Sequence, residues 1–273
     1  MVVYKKYGEV FKNIRQQKGF KLTSFEHISA AALCKFERGI SLLKFDKLLS
    51  VLNKVSITLG EYEKCLNNYD LDEHEILIQN TIISIVLNNK DELPKAYKEA
   101  LILKEQYLAL AIKGQYTKLN IVEREKLNDY FEQIITWRYI DLYTLHLSLD
   151  WLEVSQILFI VEGFFVSNNI KMLNSLEHRI RIVLIVCRAS MILISKGYME
   201  KSQDLLNYIS QKDFKHTMFT KNTVNFLKGF WEHQFGTKEK GIALMKTSLN
   251  NFDLLSYSEI STYYKHLYEK YSN

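Results

Sequence analysis

Apolar residues recur at helical spacing along almost the whole chain, and the polar breaks between them are short. Val10, Phe11 and Ile14 form a first stripe, which Gly19 is placed to end. Leu22-Thr23-Ser24 supplies a helix-start signal, and Phe25 and Ile28 continue an apolar face. Ser29 is a cap for a helix from Ala30 to Arg38 that buries Leu33 and Phe36 and stops at Gly39. Phe45, Leu48, Leu49 and Leu52 make another i, i+3, i+4, i+7 stripe, and Ile57 and Leu59 lead into a short segment with Tyr62. After the turn-prone run Asn67-Asn68-Tyr69-Asp70 the pattern shifts to longer helices. These are expected near 72–88, 93–114, 121–148 with a break near Tyr139, 150–166, 170–196, 199–210, 217–235, 239–250 and 257–271. The breaks are polar, at Asn88-Asn89-Lys90-Asp91, Ser167-Asn168-Asn169 and Gly236-Thr237. Pro94 sits just inside a helix start, where its missing N–H costs nothing extra. The expected fold is all-α, with a small domain at 1–66, a linker at 67–73 and a helical-repeat domain at 74–273.

A weak repeat runs through the second part. Ser190, Gly197, Ser202 and Leu206 stand at the same offsets as Gly229, Gly236, Gly241 and Met245, at a lag of 39 residues. Small residues at such offsets let two antiparallel helices approach closely, and the middle glycine makes the turn between them. The arrangement resembles the tetratricopeptide helical hairpin, although that family's Trp, Tyr and Pro positions are mostly absent. An ordinary antiparallel bundle is the plainer alternative.

Composition supports the helical reading. One Pro and ten Gly in 273 residues leave few helix breakers, and a hydrophobic content of 47% can fill a core. The most apolar stretch, Ile180 to Ile194, is interrupted by Arg181 and Arg188, so no membrane span is expected. The start MVVYKKYGEV has no apolar signal core, which points to a cytoplasmic protein.

Charge changes the picture more. The net +5 is unevenly distributed: residues 1–66 hold twelve Lys/Arg against six Asp/Glu, and the rest is close to neutral. A small basic module on a neutral body suits binding to a phosphate backbone through that module, though a basic segment can also be merely a solvated surface.

The motifs Arg15-x-x-Lys18-Gly19, Phe36-Glu37-Arg38-Gly39 and Phe45-Asp46-Lys47-Leu48-Leu49 together resemble the Xre-type helix-turn-helix. More narrowly, the chain is similar to the Rgg/GadR/MutR regulators. Lys35-Phe36-Glu37-Arg38-Gly39-Ile40-Ser41 is the most specific piece, and Phe226-Leu227-Lys228-Gly229-Phe230-Trp231 fits the same family. The resemblance is strong over 8–62 and architectural beyond. It implies a transcription regulator that binds double-stranded DNA, with Glu37 tethering Arg15 by an ion pair. Lys35, Arg38 and Lys44 are placed to touch phosphates, which fixes register rather than sequence. Arg15, Lys18, Lys21 and Thr23 complete the expected contacts. Base reading falls to the start of the recognition helix, where Ala30, Ala31 and Ala32 stand in place of the family's usual polar residues. Either flanking residues and DNA shape supply specificity, or the triple alanine is an engineered change.

The resemblance also implies a short hydrophobic peptide bound on the repeat domain. Such a site needs apolar pockets, amides for the peptide backbone and a cation for a terminal carboxylate. Trp137, Arg138, Arg181, Asn222, Asn225 and Phe226 are the candidates. The plainer alternatives are that the arginines, with Arg188, pair with acids, and that the asparagines are a cap and a solvated residue. A homodimer is expected too, because one recognition helix buries too little surface for an operator. The aromatic-rich terminal helix, with Tyr257, Tyr263, Tyr264, Leu267, Tyr268 and Tyr271, is either its interface or a cap on the last repeat.

Catalytic chemistry finds little support. His146, His178, His216 and His233 are dispersed, and Glu73-His74-Glu75 and Glu177-His178 read as surface charge. Cys34, Cys65 and Cys187 make no metal spacing and no disulfide framework; Cys187 reads as inert core, and Cys34 lies on the recognition helix, where a redox or inter-subunit role is the less favoured option. No enzyme, cofactor or metal is expected. The rival from another class is a helical-repeat scaffold that binds proteins and no DNA.

Overall fold

The structure, a computed structural model, describes residues 4–165, 170–211 and 214–272. All regular elements among them are helices. Contacts divide the chain into two compact units, Met1–Asp72 and Glu73–Asn273.

The first unit contains α1 (Tyr4–Gln17), a 3-10 turn (Leu22–Ser24), α2 (Ala30–Glu37), α3 (Phe45–Lys54) and α4 (Leu59–Leu66). Gly19 ends α1 at φ +75°, and Phe20 N–H donates back to the Arg15 carbonyl at 3.0 Å. This is the left-handed closure glycine permits at low cost. Ser29 Oγ accepts from Ala32 N–H at 3.2 Å and caps α2. Phe11 lies 6.0 Å from both Phe25 and Phe36, ring to ring, at the centre of a core that also holds Leu33, Val51, Leu52, Val55 and Tyr62. Two expectations fail here. The apolar face from Leu22 onward is only a three-residue 3-10 turn, and Phe25 is buried from irregular backbone. Phe45 opens α3 at 63% exposure; the buried stripe of that helix is carried by Val51 and Leu52.

The second unit runs α5 (Glu73–Val86), α6 (Leu93–Ile102), α7 (Gln106–Gly114), α8 (Ile121–Gln133), α9 (Tyr139–Ser148) with a 3-10 turn (Leu149–Trp151), and α10 (Val154–Gly163). A 3-10 turn (Ile170–Asn174) precedes α11 (Leu176–Ser195), α12 (Met199–Ser210), α13 (Met218–Phe235), α14 (Lys238–Leu255) and α15 (Ser258–Ser272). α7 packs on α9, α9 on α11, α11 on α13 and α13 on α15, and α15 returns to pack on α5. These helices surround one face, while α12 and α14 each pack behind the helix they follow. The break expected at Ser167-Asn168-Asn169 and the Tyr271 side chain lie outside the described residues.

The repeat offsets acquire a physical meaning in this unit. Gly229 and Gly241 bring α13 and α14 together: a Cβ on Gly241 would lie 2.4 Å from the His233 nitrogen and 2.7 Å from the Gly229 carbonyl oxygen. Ser190 and Ser202, at the equivalent offsets in α11 and α12, are fully buried. The single helix expected over 93–114 is two helices, because Lys104 turns the chain at φ +63° without a glycine to advertise it. The helix expected to stop at 250 continues to Leu255.

Candidate functional site

In the first unit α2 presents a single solvent stripe. Ala31, Lys35 and Arg38, at i, i+4 and i+7, are exposed, while Leu33, Phe36 and Glu37 are buried. Lys18, Lys21, Thr23 and Lys44 are exposed too; Ala30 and Ala32 are half-buried. Arg15 departs from the expected set of contacts. It is 6% exposed, with Nε 2.5 Å and Nη2 2.8 Å from the two Glu37 carboxylate oxygens and Nη1 donating to the Phe20 carbonyl at 2.6 Å. Its hydrogen bond to Glu37 holds the guanidinium above its ordinary pKa. Arg15 therefore fastens α1 to the end of α2 and does not face solvent.

The second unit encloses a cavity of about 410 Å³, lined from α5, α9, α11, α13 and α15. Arg181 and Phe226 line it, together with Tyr139, Tyr143, His146, Arg188, Thr223 and Tyr264. Its remaining walls are aliphatic and aromatic, and no Asp or Glu is among them. Arg181 is 9% exposed, with its guanidinium carbon 3.6 Å from the centre of the Tyr143 ring. Its Nε has no hydrogen-bond partner. Arg188, on the same helix and the same cavity, pairs with Asp150 at 2.7 and 2.9 Å. Burial, with Arg181 and Arg188 nearby, holds His146 well below the usual imidazole pKa, so it sits there neutral. Burial also pushes the Tyr139 and Tyr264 hydroxyls upward, and Tyr264 shares a 3.1 Å hydrogen bond with Thr223.

The other expected peptide contacts lie elsewhere. Trp137 is core, stacked 6.3 Å from Phe131 and edge-on to Phe164 at 5.0 Å. Arg138 caps α9 and reaches Asp141 at 2.8 Å and Glu105 at 3.1 Å, the acid-paired alternative. Asn222 and Asn225 line a separate groove of about 770 Å³ between α13 and α14. There Asn222 donates to the Ser248 carbonyl at 2.8 Å and accepts from Asn251 at 2.9 Å. Of the six candidates, the cavity gathers Arg181 and Phe226. The residues missed from the sequence, Tyr139, Tyr143 and His146, stand at i, i+4 and i+7 on α9, a polar and aromatic stripe along one side of the helix. That stripe was the available signal.

The cysteines are free, and burial raises the Cys187 thiol pKa far above its usual value. Among the described residues no helix is long and apolar enough to cross a membrane, and no three His, Cys, Asp or Glu gather as a metal site.

A small helical unit with a capped, basic-faced second helix, followed by helices arranged around a ligand-sized cavity, defines a helix-turn-helix regulator with a helical sensor domain. The chain belongs to the family of the HTH-type transcriptional regulator Rgg, whose C-terminal domain model matches residues 61–266. The fold is shared with Streptococcus dysgalactiae Rgg2, described as an SHP pheromone receptor, at 19% identity and a TM-score of 0.75, over 97% of this chain and 99% of that one. A candidate transcriptional regulator from Listeria monocytogenes EGD-e aligns with a TM-score of 0.80 at 15% identity, over 98% and 97% of the two chains. A bacterial peptide pheromone receptor solved as a complex aligns at 0.66 and 15%, over 97% and 96%.

Proposed function

We propose that this protein is a cytoplasmic, sequence-specific DNA-binding transcription regulator, without enzymatic activity, controlled by a short hydrophobic peptide bound in its helical domain. Residues 1–66 are assigned to DNA, 67–73 to the linker and 74–273 to the peptide and to dimerisation. The observation that carries the DNA assignment is the exposed Ala31–Lys35–Arg38 stripe of α2, in the basic quarter of the chain. In this reading Lys18, Lys21, Lys35, Arg38 and Lys44 meet phosphates, Thr23 and Ala30–Ala32 approach base edges, and Arg15 acts by positioning α1. A homodimer would present two such helices to two half-sites.

The peptide assignment rests on the 410 Å³ apolar cavity with Arg181 and Phe226 in its walls. The descriptions of Rgg2 as an SHP pheromone receptor and of the other structure as a peptide pheromone and receptor complex support it. A ligand that binds two conformations equally shifts nothing, so the peptide must favour one arrangement of the sensor helices.

A mobility-shift titration with duplexes from the upstream regions of neighbouring genes tests the reading. Saturable binding that weakens steeply with salt is expected. No binding at low salt would leave the helical-repeat scaffold as the better description. Light scattering that shows a monomer at high micromolar concentration would remove the dimer.

A further inference from the structure

We propose that the cavity of the second unit takes its occupant by a free carboxylate, received by Arg181, so that the ligand is an apolar chain ending in a carboxyl group. The inference rests on the cavity being the regulatory ligand site, and it adds which end of the ligand enters and what chemistry is recognised.

The argument starts from an imbalance on α11. Two arginines seven residues apart line the same cavity, and one of them has its carboxylate in Asp150. Arg181 has none within ion-pair distance among the described residues, although it is the more buried of the two. A buried cation without a counter-charge costs several kcal/mol, so buried charges are ordinarily paired. No carboxylate lines the cavity, and its other arginine, Arg188, is already paired with Asp150. Tyr143 lies under its guanidinium plane at 3.6 Å, and Tyr139 offers only a hydroxyl with a raised pKa. His146 would add positive charge if it titrated.

The geometry of what is left over selects the ligand. The guanidinium carbon sits 3.6 Å over the Tyr143 ring, and Nε is buried without a hydrogen-bond partner, so a ligand that reaches it must displace the side chains shielding it. An in-plane edge with a free donor is the arrangement that accepts a planar carboxylate by two parallel hydrogen bonds. The walls beyond it, including Leu184, Phe219, Phe226 and Ile260, are apolar and suit the chain attached to that carboxylate. A phosphate dianion would enter the same apolar surroundings with a second charge that no cation is free to meet. The carboxylate has two natural sources, the C-terminus of a peptide and a free amphipathic acid, and the site chemistry is the same for both.

The experiment uses the full chain and 11-(dansylamino)undecanoic acid, whose fluorescence rises in apolar surroundings, alongside its methyl ester. The acid is expected to bind about tenfold or more tightly than the ester, the scale of a charge-assisted hydrogen bond. Arg181→Met should erase that preference with ester binding retained; Arg181→Lys, which keeps the charge but not the bidentate fork, should weaken it without erasing it, and Arg188→Met should preserve it. Competition then assigns the source. A heptapeptide of Leu and Val that displaces the probe with a free C-terminus, but not as the amide, identifies a peptide end. Displacement by decanoate and by neither peptide identifies a free acid; peptide control then falls and the carboxylate assignment stands. Equal affinity for acid and ester, a preference that survives Arg181→Met, or no saturable binding of either probe to the folded chain would overturn the proposal.

Discussion

Arg15 in the first unit and Arg181 in the second are both buried arginines, at 6% and 9% exposure, and they are equipped in opposite ways. Arg15 meets a bidentate carboxylate and a backbone carbonyl, so three of its nitrogens are satisfied within the fold. Arg181 meets an aromatic ring and no carboxylate. A buried pair fixes how two elements meet, since either partner alone would be stranded in low dielectric. A buried cation without a pair leaves electrostatic free energy for something from outside to satisfy. The contrast separates a residue that holds α1 against α2 from one available to a ligand, and each of the following experiments either breaks that contrast or sharpens it.

The largest effect is expected in the first unit. Glu37→Ala leaves Arg15 buried and uncompensated, and the loss should be about 3–5 kcal/mol. Hydrogen exchange over α1 and α2 measures it without interference from the second unit. Protection unchanged within experimental error would mean that the pair is not what joins the two helices. Arg181→Met is the matching change in the second unit, with the opposite sign. It removes an unsatisfied buried donor at the cost of one cation–π contact, so stability should hold or rise, by up to about 1–3 kcal/mol. A drop comparable to that of Glu37→Ala would make the two arginines equivalent and end the comparison.

The Arg15–Glu37 pair was an implication of the resemblance to the helix-turn-helix motif, whereas caps and glycines marked the helices on either side of it. Ser29, Gly19 and Gly39 have fixed backbone roles that a linear reading can see. The cavity was not legible in the same way. Its walls come from five helices, from α5 to α15, and nothing in Trp137 or Arg138 tells whether they face that centre or the neighbouring core. Helical periodicity gives a residue's phase on its own helix, whereas facing depends on how the helices pack. Asn222 and Asn225 share α13 with Phe226 yet line the other groove, which is such an error of phase. The break at Lys104 was missed for a local reason: a lysine at positive φ carries no turn signal.

Acid should expose the electrostatics of the second unit. His146 is kept neutral by burial and by Arg181 and Arg188, and burial also lowers His216. Unfolded, both regain an ordinary value near 6.5. Below that pH the unfolded chain binds protons that the folded chain refuses, so stability is intact above it and falls as pH drops toward the depressed folded values. The slope approaches roughly 1.4 kcal/mol per pH unit for each histidine. Denaturant melts between pH 7.5 and 5 measure it, and His146→Gln should flatten the curve. Arg181→Met should shrink the loss and end it at a higher pH by easing protonation of the folded state, whereas Arg188→Met should also cost some stability at neutral pH, because it removes the pair with Asp150.

The smallest effect is expected at Arg138, which the sequence placed beside Arg181 as a ligand residue. Its side chain is 55% exposed and bridges Asp141 and Glu105. The Arg138 end of both pairs is open to solvent, which screens them, so Arg138→Ala should cost about 1 kcal/mol even though Asp141 is buried. The buried partner explains why the cost stays low. Asp141 still accepts from the Tyr130 hydroxyl and from the backbone N–H of residue 138, which any residue but proline supplies. Removing Asp141 instead would leave Tyr130, its pKa pushed up to about 12 mainly by burial, without its acceptor while it stacks 3.8 Å from Tyr107. Asp141→Ala should therefore destabilise more than Arg138→Ala, and a reversed order in thermal melts would show the guanidinium to be the anchor of that corner. Probe affinity should not change in Arg138→Ala, because Arg138 does not line the cavity. A tenfold loss there would reassign the ligand's charge from Arg181 to Arg138 and collapse the distinction between the paired and unpaired arginines within the second unit itself.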